Sequence, residues 1–202
     1  MPASITSAAD VVNLALERIG YNRRVGSLYD GSDAANASLT IYAQTRDQLL
    51  RQNDWGFSQR TLNLTLLKAA PSNYFDAPWN PATNPPPPWL YEYAYPGDAI
   101  KIRAVKPQPL FLFNPAPQPY LFNVYNDNAT EAAAKTILCN IGDAIAVYTG
   151  QVLDPSQMEP DFIEAFAAAL GRRMAPLLIP SSAQNAAQDE MISSKIAERE
   201  QG

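Results

Sequence analysis

The chain has 202 residues and 47% hydrophobic content, enough for a core in one medium domain or in a helical body with a β-rich insertion. It has no histidine, one cysteine and only 17% charged residues, which excludes Ser–His and Cys–His catalysis, histidine-ligated metals and a disulfide framework. The net charge of −5 is uneven: 10 basic and 9 acidic residues over Met1–Asn126 give +1, while 5 basic and 11 acidic over Asp127–Gly202 give −6, the reverse of a phosphate-gripping stripe.

The acidic half fits a solvated tail, or a wall that keeps nucleic acid mobile by repulsion. The low charge content fits a surface covered by partners. "MPASITSAADVV" lacks a basic region followed by an apolar stretch, so no signal peptide is expected, and no run approaches the ~20 apolar residues of a membrane span. The expectation is a soluble protein made in a reducing compartment.

In "SAADVVNLALERIG", Ser7 and Asp10 form a capping box, and Val11, Leu14, Ala15 and Ile19 follow at helical spacing up to Gly20. This predicts a helix over Ala8–Ile19. Asp30-Gly31 marks a turn, and Ser32 or Asp33 caps a second helix running to Gln52, with Ala35, Leu39, Tyr42, Ala43, Leu49 and Leu50 as its apolar positions. Asp47 and Arg51 stand four apart and can pair. Trp55 and Phe57 then flank Gly56. They are expected to pin the helix end to the core, with a subunit contact as the alternative.

From Thr61 the period changes to two. "TLNLTLL" places Leu62, Leu64 and Leu66 on one face. "WLYEYAY", the turn Pro96-Gly97-Asp98 and "IKIRAV" read as a β-hairpin. "YLFNVYND", "AAAKTILCN" and "AIAVYTG" add strands, giving an antiparallel sheet or small barrel with Cys139 as a small core residue. Thirteen of the 18 prolines fall between Pro71 and Pro119, so "APWNPATNPPPPW" is a stiff loop, either a spacer or arm or a ligand for a proline-recognising module. After Gly150, Asp154-Pro155 turns the chain into a helix from Pro160 that buries Ile163, Phe166, Ala167, Leu170 and Met174 and is ended by Pro176 and Pro180. A last, polar helix over Ser182–Glu200 has only Met191, Ile192 and Ile196 as large apolar residues, so it is a frayed tail or a segment ordered by a partner.

The expected fold class is therefore α+β. A helical bundle over 1–60 and 150–202 carries an inserted antiparallel β-rich region over 61–149. Catalytic motifs are missing: there is no nucleophile elbow, no phosphate loop, no GxGxxG and no CxxC. Asp161 and Glu164 sit where a helix dipole favours acids, and Arg172 and Arg173 where it favours bases, or where interface ion pairs form. No catalytic, cofactor-binding or metal-binding residue is assigned, and no cofactor is expected.

Four stretches, in this order, resemble the head-to-tail connector (adaptor) proteins of tailed bacteriophages, of the tail tubular protein A type: "ADVVNLALERIG", "YAQTRDQLLRQNDWGFSQR", "WLYEYAYPGDAIKIRAV" and "AVYTGQVLDPSQMEPDFIEAFAAALGRRMAPLL". Pro71–Pro88 and Pro107–Asn128 fall outside the likeness. The resemblance implies a structural virion protein, not an enzyme: a ring, usually of twelve copies, beneath the portal protein that extends the DNA channel and offers a platform to the downstream tail or nozzle protein. DNA would pass without sequence-specific binding, and no membrane is involved. Localisation would be the virion neck, after synthesis in the host cytoplasm. Trp55 and Phe57 match the family's aromatic helix end, and no catalytic residues are carried over. The alternatives are another neck, stopper or tail-completion protein, or a monomeric module that reads peptides through its aromatic and proline-rich loops; a carboxylate-only hydrolase ranks behind these.

Overall fold

The computed structural model describes residues 6–71, 78–108, 120–127 and 134–179. Among the described residues the fold mixes three α-helices with two antiparallel sheets, and it is α+β. The chain divides into two compact units, one from Met1–Asn53 with Val152–Gly202 and the other from Asp54–Gln151.

The first unit is helical. Helix α1 spans Ala8–Arg18, and its capping box is formed: Asp10 N donates to Ser7 Oγ at 3.2 Å and Ser7 N to Asp10 Oδ2 at 2.9 Å. Gly20 takes φ +73 just past the C-cap, a conformation that costs glycine least. Asn13 ties the following loop to α1, with Val25 N donating to its Oδ1 at 2.8 Å and its Nδ2 donating to Val25 O at 3.0 Å. Helix α2 spans Asp33–Gln52 with Ser32 as N-cap. Its buried stripe differs from the expected one. Leu39 and Ala43 face outward, while Ser38, Thr45 and Arg46 are buried beside Ala34, Ala35, Tyr42 and Leu50. The polar members cost little because their own helix satisfies them: Ser38 Oγ donates to Ala35 O at 2.8 Å and Thr45 Oγ1 to Ile41 O at 2.7 Å. Arg46 Nε pairs with the adjacent Asp47 at 2.8 Å.

Helix α3 spans Pro160–Leu178. Phe162, Ile163, Phe166, Ala167, Leu170 and Met174 are buried, and each large one contributes about 1.5–3 kcal/mol of apolar burial. The Tyr42 and Phe166 rings meet at 4.8 Å. Pro176 does not end the helix as expected. Its missing N–H falls in the last turn, and the ladder resumes with Ile179 N donating to Ala175 O at 2.9 Å. Gly171 marks a close approach of α3 to α1, because a Cβ there would stand 3.0 Å from Ala15 O and 3.2 Å from Ile19 Cγ2. Arg18 and Glu164 join the same two helices as an ion pair. Pro180 and the helix expected over Ser182–Glu200 lie outside the described residues.

The second unit is β-rich. Strands β1 (Gln59–Asn63), β7 (Ala144–Gly150) and β4 (Ala99–Pro107) form one sheet in the order β1-β7-β4. Strands β2 (Leu66–Ala69), β3 (Tyr91–Ala94), β6 (Ala134–Cys139) and β5 (Phe122–Asp127) form the other, in the order β2-β3-β6-β5. A shared core joins them: Ile102, Val105, Ala146 and Tyr148 from the first sheet pack with Tyr93, Ile137 and Cys139 from the second.

Two expectations fail here for one reason, the sheet switch. "TLNLTLL" is not one strand: Leu64 N still bonds Ala144 O of the first sheet at 2.9 Å, while Thr65 O already accepts from Ala94 N of the second at 2.9 Å. Only Leu64 packs on the core, and Leu62 and Leu66 are exposed. "WLYEYAY" and "IKIRAV" are not a hairpin either. The turn forms, with Ala99 N donating to Pro96 O at 3.0 Å, but β3 pairs with β2 and β6, whereas β4 pairs with β7. Pro96 has no N–H to extend the β3 ladder, and the turn delivers the chain to the other sheet.

Candidate functional site

No described group of three or more Asp, Glu, Cys or His is placed to hold a metal ion. No helix among the described residues is long and apolar enough to cross a membrane. Asp161 and Glu164 do not converge on a cleft as a carboxylate pair. Asp161 stands in the first turn of α3, and Glu164 is spent on Arg18. Cys139 is buried, its Sγ lies 3.7 Å from Ile141 O, and burial pushes its thiol pKa up, away from reactivity.

What the β-rich unit offers is surface. Among its described residues eight large apolar side chains are exposed, and six of them lie on or beside edge strands: Leu62 on β1, Leu66 and Leu67 on β2, and Leu121, Val124 and Tyr125 at β5. Every residue of β1 is exposed. Leu62 is 45% exposed and Leu121 83%, so these groups meet water unless something covers them. Edge strands with apolar side chains and open ladder groups are normally blunted or paired.

A second feature is the loop over 78–90. Trp79 is 52% exposed and its Nε1 donates to Pro85 O at 3.0 Å, so its polar edge is satisfied while much of its ring faces outward. Trp79 borders two clefts. One, of about 490 Å³, is lined by Pro71, Pro85, Pro87, Pro88 and Trp89; the other, of about 300 Å³, by Lys68, Pro81, Asn84, Tyr125 and Asp127. The loop is held to β2 by Lys68 Nζ donating to Pro81 O at 3.0 Å and by Asn84 Nδ2 donating to Ala69 O at 3.2 Å.

Beneath this loop lies a charge cluster that sequence reasoning missed. Lys68, opposite Glu92 in the β2–β3 ladder, hydrogen-bonds Asp127 and stands 3.5 Å from Glu92 Oε2. Glu92 is fully buried, and neither of its oxygens has a hydrogen-bond partner among the described residues, where the Lys68 charge is what compensates it. Burial opposes the Lys68 ammonium, but the Asp127 hydrogen bond and the Glu92 charge outweigh it and hold its pKa above the ordinary value. The contacts join residues 24 and 59 positions apart, which no local pattern reveals.

Arg103 was missed for the same reason. Its Nη2 donates to Trp55 O at 2.7 Å and Ser58 Oγ at 3.2 Å, its Nη1 to Gln59 Oε1 at 3.1 Å and its Nε to Thr149 Oγ1 at 2.9 Å. Trp55 and Phe57 lie in the β-rich unit, half-buried, with ring centroids 6.3 Å apart across a short 3₁₀ turn, Gly56–Ser58. They therefore open the β-rich unit, and Arg103 anchors the backbone between them and β1.

In the helical unit Arg173 donates to Thr45 Oγ1 at 2.9 Å and to Gln48 Oε1 at 2.5 Å, while Arg172 is exposed. Comparison with known proteins finds no family model that matches the chain and no curated protein that matches it.

Proposed function

We propose that this chain is a structural subunit of a tailed-phage head-to-tail connector. In this reading the three helices are the body of a helical bundle, and the β-rich unit is an insertion that projects contacts. About twelve copies form a ring beneath the portal protein, extend the DNA channel and present a platform to the tail or nozzle protein, in the virion neck. The protein acts through shape and burial and is not an enzyme.

The observation that carries the reading is the set of exposed apolar side chains on strands at the edges of both sheets. A ring subunit meets its neighbours through two unlike surfaces, because the contact is heterologous and closes on itself. Edges β2 and β5 lie at opposite sides of one sheet and carry different apolar groups, as such contacts require. The test is electron microscopy with mass measurement of the full chain mixed with a portal ring from the same phage. A collar of added density on one face of the portal is expected, and loss of that density when residues after Ser181 are deleted would place the C-terminal segment at the portal. Particles with no added density would sink the reading.

The Trp79 clefts favour a second reading, a monomeric peptide-binding module. It predicts saturable binding of proline-rich peptides that is lost in Trp79→Ala, with no higher-order species on any partner.

A further inference from the structure

We propose that the cleft between α2 and α3 is a binding site for carboxylate side chains of an acidic peptide segment, a role that goes beyond the connector reading and does not depend on it. The cleft lies wholly within the helical unit and holds about 250 Å³. Its polar lining is Thr45, Gln48, Gln52, Arg172 and Arg173, and none of the described acidic residues is among its lining.

The two arginines have different roles. Arg173 is held in place by Thr45 Oγ1 and Gln48 Oε1, and two of its five N–H donors suffice for those bonds. Its plane is therefore set before any ligand arrives, which lowers the ordering cost of binding. Arg172, its neighbour in sequence, is exposed at the same cleft and supplies a second guanidinium. Gln48 uses its oxygen toward Arg173, leaving its amide N–H groups as further donors. The end of α2 at Gln52 contributes about half a negative charge, against two full positive ones, so the cleft favours an anion.

The class of anion follows from size and charge pattern. The cleft is smaller than the roughly 300–1,000 Å³ typical of small-molecule sites, so it suits one or two side chains. A nucleic-acid backbone would need a row of cations, whereas here two arginines are flanked by neutral amides, threonine, leucine and alanine. Guanidinium forks match carboxylates in bidentate geometry.

This chain supplies a probe of the right chemistry, since residues 181–202 include Asp189, Glu190, Glu198 and Glu200. A fluorescently labelled synthetic peptide of that sequence, titrated with the full chain at low salt and followed by anisotropy, should bind saturably. Replacing its four acids by their amides, or introducing Arg172→Gln in the protein, should each weaken binding by at least about tenfold, as loss of a charge-assisted hydrogen bond requires. Arg173→Lys keeps the charge but not the fork and should weaken binding less than Arg172→Gln combined with Arg173→Gln. Absence of saturable binding, equal affinity of the amide peptide, indifference to Arg172→Gln, or displacement of the peptide by an equimolar oligonucleotide would each overturn the proposal. No portal is needed, so failure here leaves the connector reading untouched.

Discussion

The two units of this chain handle apolar surface in opposite ways. The helical unit puts its large aromatic and aliphatic groups inside and tolerates buried Ser38 and Thr45, because each bonds a carbonyl of its own helix. The β-rich unit buries a charge cluster under a proline-rich loop and, among the described residues, leaves eight large apolar side chains exposed, against four in the helical unit. The difference teaches where each unit gets its specificity. Helix packing is closed within the chain, while sheet edges still have pairing capacity to give to another molecule.

The largest effect expected from breaking this contrast is at Lys68. Lys68→Met leaves Glu92 buried without the charge that compensates it and removes an ion-pair partner from Asp127, and should cost about 3–5 kcal/mol in thermal or denaturant unfolding. Adding Glu92→Gln should recover part of that loss. A loss below about 1 kcal/mol would mean that the cluster does not hold the loop to the sheet.

A packing change should disturb the helical unit by less. Gly171→Leu forces a side chain against Ala15 O and Ile19 and should cost about 1–3 kcal/mol, measured by calorimetry. Gly171→Ala sharpens the point, since a helix-propensity gain of about 1 kcal/mol offsets the 3.0 Å contact and the net change should be small. Equal stability of the leucine variant would show that α1 and α3 are not in close approach.

The smallest effect belongs to the first cap. Ser7→Ala should cost about 1 kcal/mol. The Ser7 hydroxyl, helped by the Thr6 and Ser7 backbone N–H groups, lowers the Asp10 pKa below its ordinary 3.8. Because the folded-state value is the lower one, this contribution is present above pH 3.8 and fades as pH falls through the depressed value. The stability gap between the wild type and Ser7→Ala should therefore narrow at low pH toward what the Asp10 N–H bond to Ser7 Oγ alone contributes, and a constant gap between them would refute the coupling.

Legibility followed the range of the interaction. The Ser7 box, the Ser32 cap, the Gly20 stop and the Phe166 stripe are all set within four or five residues, and the helices could be read from them. Most strands were legible as strands, since alternation is local, but their partners were not, and the break that splits "TLNLTLL" between two sheets was not. A turn at Pro96-Gly97-Asp98 says that the chain bends and says nothing about which sheet receives it. The same limit hid the candidate sites, because Arg103, Lys68 and Arg173 meet partners across 44 to 48, 24 to 59 and 125 to 128 positions.

By itself the amino-acid order determined the chain's inventory: no histidine, an α+β pattern, the capped or proline-led starts of three of the four expected helices and a cluster of prolines between Pro71 and Pro119. Only the tertiary structure decided that seven strands divide into sheets of three and four, that Glu92 is enclosed beside Lys68, and that two arginines share one cleft with Thr45 and Gln48. The physical reason is that periodicity and capping are energies of neighbours in sequence, whereas strand pairing and charge compensation are energies of neighbours in space, chosen only when the whole core closes.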